Sequence, residues 1–131
     1  MSGNSKTGTR SIHAASVRRS DCPISYALDL FGDKWTLLVV RDLALYAKRH
    51  YGELLASDER MATNILADRL ARLEAWGVVN KQPDPTNRRR VIYRLTERGK
   101  DLLPVLVEMI RWSGQHDPAS AAPPDFLRRI D

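Results

Sequence analysis

Met61-Ala62-Thr63-Asn64-Ile65-Leu66-Ala67-Asp68-Arg69-Leu70-Ala71-Arg72-Leu73-Glu74-Ala75-Trp76-Gly77 decides the fold, together with the run from Val78 to Thr96 that follows it. Leu66, Leu70 and Leu73 recur at the i, i+4, i+7 spacing of one helix face, with Ala62 and Ile65 beside them. The opposite face carries Asn64, Asp68, Arg69 and Arg72, all able to hydrogen-bond. Thr63, or Ala62 just before it, starts this helix, and Gly77 stops it in the position that follows a last turn. Val78 to Gln82 reads as a short strand. Val91, Tyr93 and Leu95 alternate with Ile92 and Arg94 along a return strand. Between the strands the sequence predicts a loop from Pro83 to Arg90, ending in three consecutive arginines, Arg88, Arg89 and Arg90. A helix with a polar outer face, followed by a hairpin with a cationic tip, is how a winged helix-turn-helix meets DNA. The helix enters the major groove and the wing lies along the backbone.

Composition sets the outer limits. A chain of 131 residues makes one domain plus tails, and a hydrophobic share of 43% is enough for a packed core. The net charge of +5 permits nucleic-acid binding without demanding it. No apolar run is long enough to cross a bilayer, and the N-terminus lacks the apolar centre of a signal peptide. A single cysteine forms no internal disulfide, so the expected location is the cytoplasm.

Residues 1–19 are rich in Ser, Gly, Thr and Arg and read as a flexible arm. Arg10, Arg18 and Arg19 leave open a basic arm reaching DNA, beside the plainer reading of a solvated leader. The domain proper is expected over residues 20–116. Its first helix opens at Cys22-Pro23, with proline in the position it tolerates best, and ends at Gly32. Ile24, Leu28 and Phe31 form its expected apolar stripe. Cys22 lies at the positive end of that helix dipole, so it reads either as a sensing thiol or as a small residue near a dimer seam. Lys34 to Tyr46 forms a second, nearly all-round apolar helix, with Trp35 in the core and Arg41-Asp42 as a local ion pair or a cap.

Tyr51 to Ser57 is the short first helix of the helix-turn-helix, with Tyr51, Leu54 and Leu55 facing inward. That places Lys48, Arg49 and Ser57 where they could meet phosphates; a solvated cluster is the other reading. Thr96 caps a last helix running to Trp112, kinked at Pro104. Leu102, Leu106, Met109, Ile110 and Trp112 give it more apolar surface than one small domain needs. A second copy of the chain would cover it, or a ligand pocket would use it. Residues 117–131 form a tail in which Phe126, Leu127 and Ile130 could dock on the body.

Five stretches resemble the HxlR family of bacterial winged-helix regulators, relatives of MarR. They are Cys22-Pro23, Gly32-Asp33-Lys34-Trp35-Thr36, Tyr51-Gly52-Glu53-Leu54, the run from Met61 to Gly77, and Leu95-Thr96-Glu97-Arg98-Gly99. They span Cys22 to Trp112 in the family's order. The resemblance implies a dimer joined through terminal helices, and at the position of Cys22 it implies kinship with thiol or aldehyde sensors.

The fold class expected is therefore α/β, mostly α: a winged helix-turn-helix with a two-stranded wing and terminal dimerisation helices. The expected function is sequence-specific regulation of transcription by a homodimer on double-stranded operator DNA. A repressor released by a small-molecule or redox and electrophile signal is the form expected. Candidate DNA contacts are Thr63, Asn64, Asp68, Arg69, Arg72, Arg88, Arg89, Arg90, Lys48 and Arg49, with Arg69 and Arg72 the candidates for guanine. A protein-interaction or RNA-binding module is the rival class. Catalysis finds no support, because His13, His50 and His116 are scattered and no Gly-rich phosphate loop or metal-ligand spacing occurs. No cofactor, metal or membrane partner is expected.

Overall fold

The computed structural model describes residues 19–120. Of the flexible arm expected over residues 1–19, all but Arg19 lies outside them, Arg10 and Arg18 included, as does the docking of Phe126, Leu127 and Ile130.

Among the described residues six helices and one hairpin follow in order. They are α1 (Pro23–Phe31), α2 (Thr36–Leu45), α3 (Tyr51–Leu55), α4 (Thr63–Ala75), β1 (Val79–Asp84), β2 (Asn87–Leu95), α5 (Glu97–Lys100) and α6 (Leu103–His116). This is the expected winged helix-turn-helix, mostly helical with a two-stranded antiparallel wing. The core is where α2 meets α4. Val39, Val40 and Leu43 of α2 are buried with Leu66, Leu70 and Leu73 of α4, and Leu54, Val79 and Leu106 close the cluster. The i, i+4, i+7 leucines of α4 are thus its inward face. Truncating one to alanine would cost about 2–5 kcal/mol, the usual penalty for a buried leucine.

The end of α4 is chemically specified. Gly77 has φ of +76°, the left-handed region. Its N–H donates to Glu74 O at 3.0 Å, and Val78 N–H donates to Leu73 O at 2.9 Å. This is the paired closure that turns the chain out of a helix. The Thr96 hydroxyl then donates to Gly77 O at 2.6 Å and accepts from Gly99 N at 3.0 Å. One threonine therefore joins the exit of α4 to the cap of α5.

Three local expectations are corrected. The hairpin is longer and its loop shorter than expected: Asp84 faces Asn87, leaving Pro85 and Thr86 as the turn. Asp84 shapes that turn by accepting from Thr86 N at 2.9 Å and Thr86 Oγ1 at 2.8 Å. Pro83 pairs with Val91 while Asp84 pairs with Asn87, so Arg88, Arg89 and Arg90 belong to β2 and bulge from the ladder.

The last helix is broken rather than kinked. The α5 segment ends at Lys100 and Pro104 stands in the first turn of a new helix, α6, where its missing N–H costs nothing.

The apolar stripe of α1 is also rotated. Leu30 is buried, whereas Ile24 and Leu28 are 70% and 46% exposed. The Tyr26 ring sits 5.1 Å from Trp76, which turns that side of α1 inward and Ile24 and Leu28 outward.

Replacing Gly77 with alanine forces a Cβ into the left-handed region. That substitution should lower stability by about 1–2 kcal/mol, read as a lower midpoint in urea unfolding with an unchanged slope.

Candidate nucleic-acid interface

Helix α4 presents Thr63, Asn64, Ala67, Asp68 and Ala71 to solvent, on the side away from Leu66, Leu70 and Leu73. Tyr51 Oη donates to Thr63 O at 2.6 Å, fixing the start of α4 against the start of α3. The outer face is small and polar. The two alanines allow a nucleic-acid groove to approach the helix closely, and Asn64 has the donor and acceptor pair that matches adenine.

Arg69 and Arg72 stand elsewhere. Arg69 Nε donates to Asp33 Oδ2 at 2.8 Å and its terminal nitrogen meets Asp68 Oδ2 at 2.6 Å. The Asp33 carboxylate also accepts from Trp35 N at 3.0 Å and Thr36 N at 3.2 Å, so it caps α2 as it holds Arg69. Burial opposes its ionisation. Hydrogen bonds from Arg69, Thr36 and Trp35 outweigh that and hold its carboxyl far below the usual aspartate range. The same pairing with Asp33 raises the Arg69 pKa. Arg72 reaches Asp29 O at 2.9 Å and Leu30 O at 3.0 Å, carbonyls of the last turn of α1. Those carbonyls lack helical donors, and a guanidinium there also opposes the negative end of the dipole. Sequence spacing puts both arginines on the outer face. The structure gives each a partner on the inner flank, because a long side chain on a helix's edge can bend either way.

The basic cluster before α3 is engaged in the same manner. Lys48 Nζ donates to Ser57 Oγ at 3.0 Å and lies 3.8 Å from Asp42 Oδ2. Ser57, expected near phosphate, is buried and hydrogen-bonds Asp42. Arg49 donates to Leu43 O at 2.8 Å and Lys48 O at 2.7 Å. Burial, with Arg94 nearby, lowers its pKa. Arg41 pairs with Asp42 and Glu59, each at 2.8 Å, which is the local ion pair expected for Arg41-Asp42 extended to the turn before α4.

Arg60, Arg88, Arg89 and Arg90 make no ion pair with any described residue. All are exposed. Arg60 is not among the residues the sequence points to. It has φ of +57° in the turn that delivers α4, and that unusual backbone leaves no periodicity to mark it. The expected dimer residues divide as well. Leu106 is buried, Leu102 and Ile110 pack on the core, and only Met109 and Trp112 are half-exposed or more, at 50% and 66%. With Pro104, Val105, Glu108 and Ser113 they line an open apolar groove on α6.

Cys22 is exposed at the N-cap of α1. Among the described residues no helix is long and apolar enough to cross a membrane, and no cluster of His, Cys, Asp and Glu could hold a metal ion.

A capped helix with a free polar face, a short helix crossing its start, and an arginine-bearing hairpin make up a DNA-binding winged helix. Residues 30–121 match the HxlR-like helix-turn-helix family, and the chain belongs to it. It is 40% identical over 88 residues to the uncharacterized HTH-type transcriptional regulator sll1512 of Synechocystis, a match covering 67% of this chain and 64% of that one. The chain thus spans just under two thirds of that relative. The solved structure of PA1607 superposes with a TM-score of 0.72 at 34% identity, covering 81% of this chain and 74% of that one. The reduced transcriptional regulator YodB of Bacillus subtilis gives 0.61 at 30% identity, covering 77% of this chain and 100% of that one. YodB has also been solved diamide-treated and quinone-bound.

The Asp33–Arg69 bond sets a stability test. A carboxyl whose folded pKa is depressed contributes stability above its unfolded value and loses it as pH falls. Asp33→Asn should therefore cost about 1–3 kcal/mol at neutral pH, the range for a hydrogen bond to a charged group. The gap to wild type should narrow as pH falls below the free aspartate value of about 3.9. Urea unfolding at neutral and acid pH measures both.

Proposed function

We propose that this chain is a homodimeric, sequence-specific repressor, released from operator DNA by a small-molecule or redox and electrophile signal. The observation that carries the reading is the pairing of two surfaces. The outer face of α4 offers Thr63, Asn64 and Asp68 beside two alanines, and the exposed arginines Arg60, Arg88, Arg89 and Arg90 have no carboxylate of their own among the described residues. Small polar side chains suit base edges, and unpaired guanidinium groups suit phosphates. In this reading Arg69, Arg72, Lys48 and Arg49 act by holding the helices rather than by touching DNA. Two apolar surfaces favour the dimer: Ile24 and Leu28 on α1, and Met109 and Trp112 on α6, all large and exposed in the single chain. The likeness to YodB, known in diamide-treated and quinone-bound forms, supports a redox or electrophile signal acting at Cys22.

Binding is tested on a duplex selected by the protein from random DNA. Asn64→Ala should weaken the selected duplex by about 1–3 kcal/mol and scarcely affect unrelated DNA. The triple variant R88A/R89A/R90A should weaken both equally and flatten the salt dependence by roughly 0.9 in log–log slope for each phosphate no longer neutralised. If Asn64→Ala weakens both duplexes alike, α4 does not read sequence.

Control is tested by sedimentation and DNA binding, with and without diamide, for wild type and Cys22→Ser. Untreated protein should sediment at twice the 14.9 kDa chain mass. Diamide should release DNA from wild type alone; equal retention by both proteins removes Cys22 from the mechanism.

A further inference from the structure

His50 bridges the helix-turn-helix to the wing. Its backbone N–H and that of Arg49 both donate to Glu53 Oε1 at 2.9 Å, which caps α3. Its ring spans two acidic groups: Nδ1 lies 3.1 Å from Glu53 Oε1 and Nε2 lies 2.8 Å from Asp84 Oδ2. His50 and Asp84 are 34 apart in sequence. Asp84 is the carboxylate whose other oxygen builds the Pro85-Thr86 turn. Near it, Tyr93 N–H donates to Arg49 O at 2.8 Å, so the chain just before His50 also pairs with β2. The hairpin therefore touches the start of α3 through one backbone bond and one imidazole. Beyond Asp84 the hairpin carries the arginine bulge.

We propose that His50 is a positioning residue that clamps the wing turn to α3, so that Arg88, Arg89 and Arg90 face DNA on a common surface with α4. The proposal rests on the reading of those arginines as phosphate contacts. A bulged two-stranded ribbon is weakly constrained by its own ladder and needs an outside tether to hold one attitude. Both carboxylates stay ionised well into acid: Glu53 is lowered to about 2 by the N–H groups of Arg49 and His50, and Asp84 to about 2 by His50 and Thr86. Ionised carboxylates only accept, so both ring contacts are hydrogen bonds together only when both ring nitrogens carry protons. The charged groups around the ring are Glu53 from α3 and Asp84 from β1, with Arg49 preceding it in the chain and Arg94 of β2 acting on Arg49. The clamp thus closes fully with a charged imidazole and loses one tie when the ring is neutral.

The test is a double-mutant cycle on the selected duplex, with His50→Ala made in wild type and in R88A/R89A/R90A. The clamp predicts that His50→Ala weakens binding about tenfold in wild type, comparable to removing one or two phosphate partners, and has little effect once the arginines are gone. His50→Gln keeps a donor for Asp84 and should lose less binding than His50→Ala. An equal loss from His50→Ala in both backgrounds would mean general destabilisation and would overturn the clamp alone. Equal losses from His50→Gln and His50→Ala in the wild-type background would do the same. A triple arginine variant with unchanged salt dependence would overturn the wing reading and the clamp with it.

Discussion

Helix α4 is held in place by its own arginines. Arg69 and Arg72 fix α4 to two different elements, the capping carboxylate Asp33 before α2 and the last carbonyls of α1. The three inward leucines position α4 in depth but not in rotation, because dispersion and burial are nearly indifferent to a small roll. Directional bonds from the helix flank remove that freedom. A forked grip on α1's carbonyls and an ion pair with the cap of α2 permit one rotation, and that rotation turns Thr63, Asn64, Ala67, Asp68 and Ala71 outward. The geometry of the surface thus depends on residues that are not on it.

Periodicity made the helix and its inner face legible, since Leu66, Leu70 and Leu73 leave only one side to bury. Gly77 made its end legible for the same kind of reason: the backbone needs a left-handed residue there. What the sequence could not disclose was where long side chains bend. Arg69, Arg72, Lys48 and Arg49 all read as surface cations, and each found a carboxylate, hydroxyl or carbonyl brought near by tertiary folding. Pairing across 36 or 43 residues leaves no local signal. The hairpin turn is shorter than its sequence implies because Pro83 and three arginines look like a loop. The strand tolerates them only at the edge of a two-stranded ribbon, where Pro83 need not donate and the arginines bulge.

The positive charge is consequently sorted by position. A guanidinium already 2.8 Å from a carboxylate would have to give up that partner to meet a phosphate, and the exchange would gain little. Arg60, Arg88, Arg89 and Arg90 face no such exchange among the described residues. A net charge of +5 is modest for a nucleic-acid partner, but exposed arginines without an ion pair among the described residues stand on the turn before α4 and on β2.

This sorting separates two properties that a single basic helix would merge. On the proposed reading, charged groups on the wing act on any duplex and weaken as salt rises, because what they displace is the counterion atmosphere. The outer face of α4, small and nearly free of unpaired cations, adds little of that kind of affinity. On the reading proposed above, its discrimination comes from hydrogen bonds of Thr63 and Asn64 and from methyl contacts of Ala67 and Ala71, which change with the base pair and little with salt. A face made of short side chains discriminates only when the helix is held to within a fraction of an ångström, since short groups cannot swing to follow a base edge that has moved away. That requirement leads back to Arg69 and Arg72. On the proposed reading, the arginines that sequence spacing offers as readers serve as fixtures, because the residues left to read are too short to work from a helix free to roll.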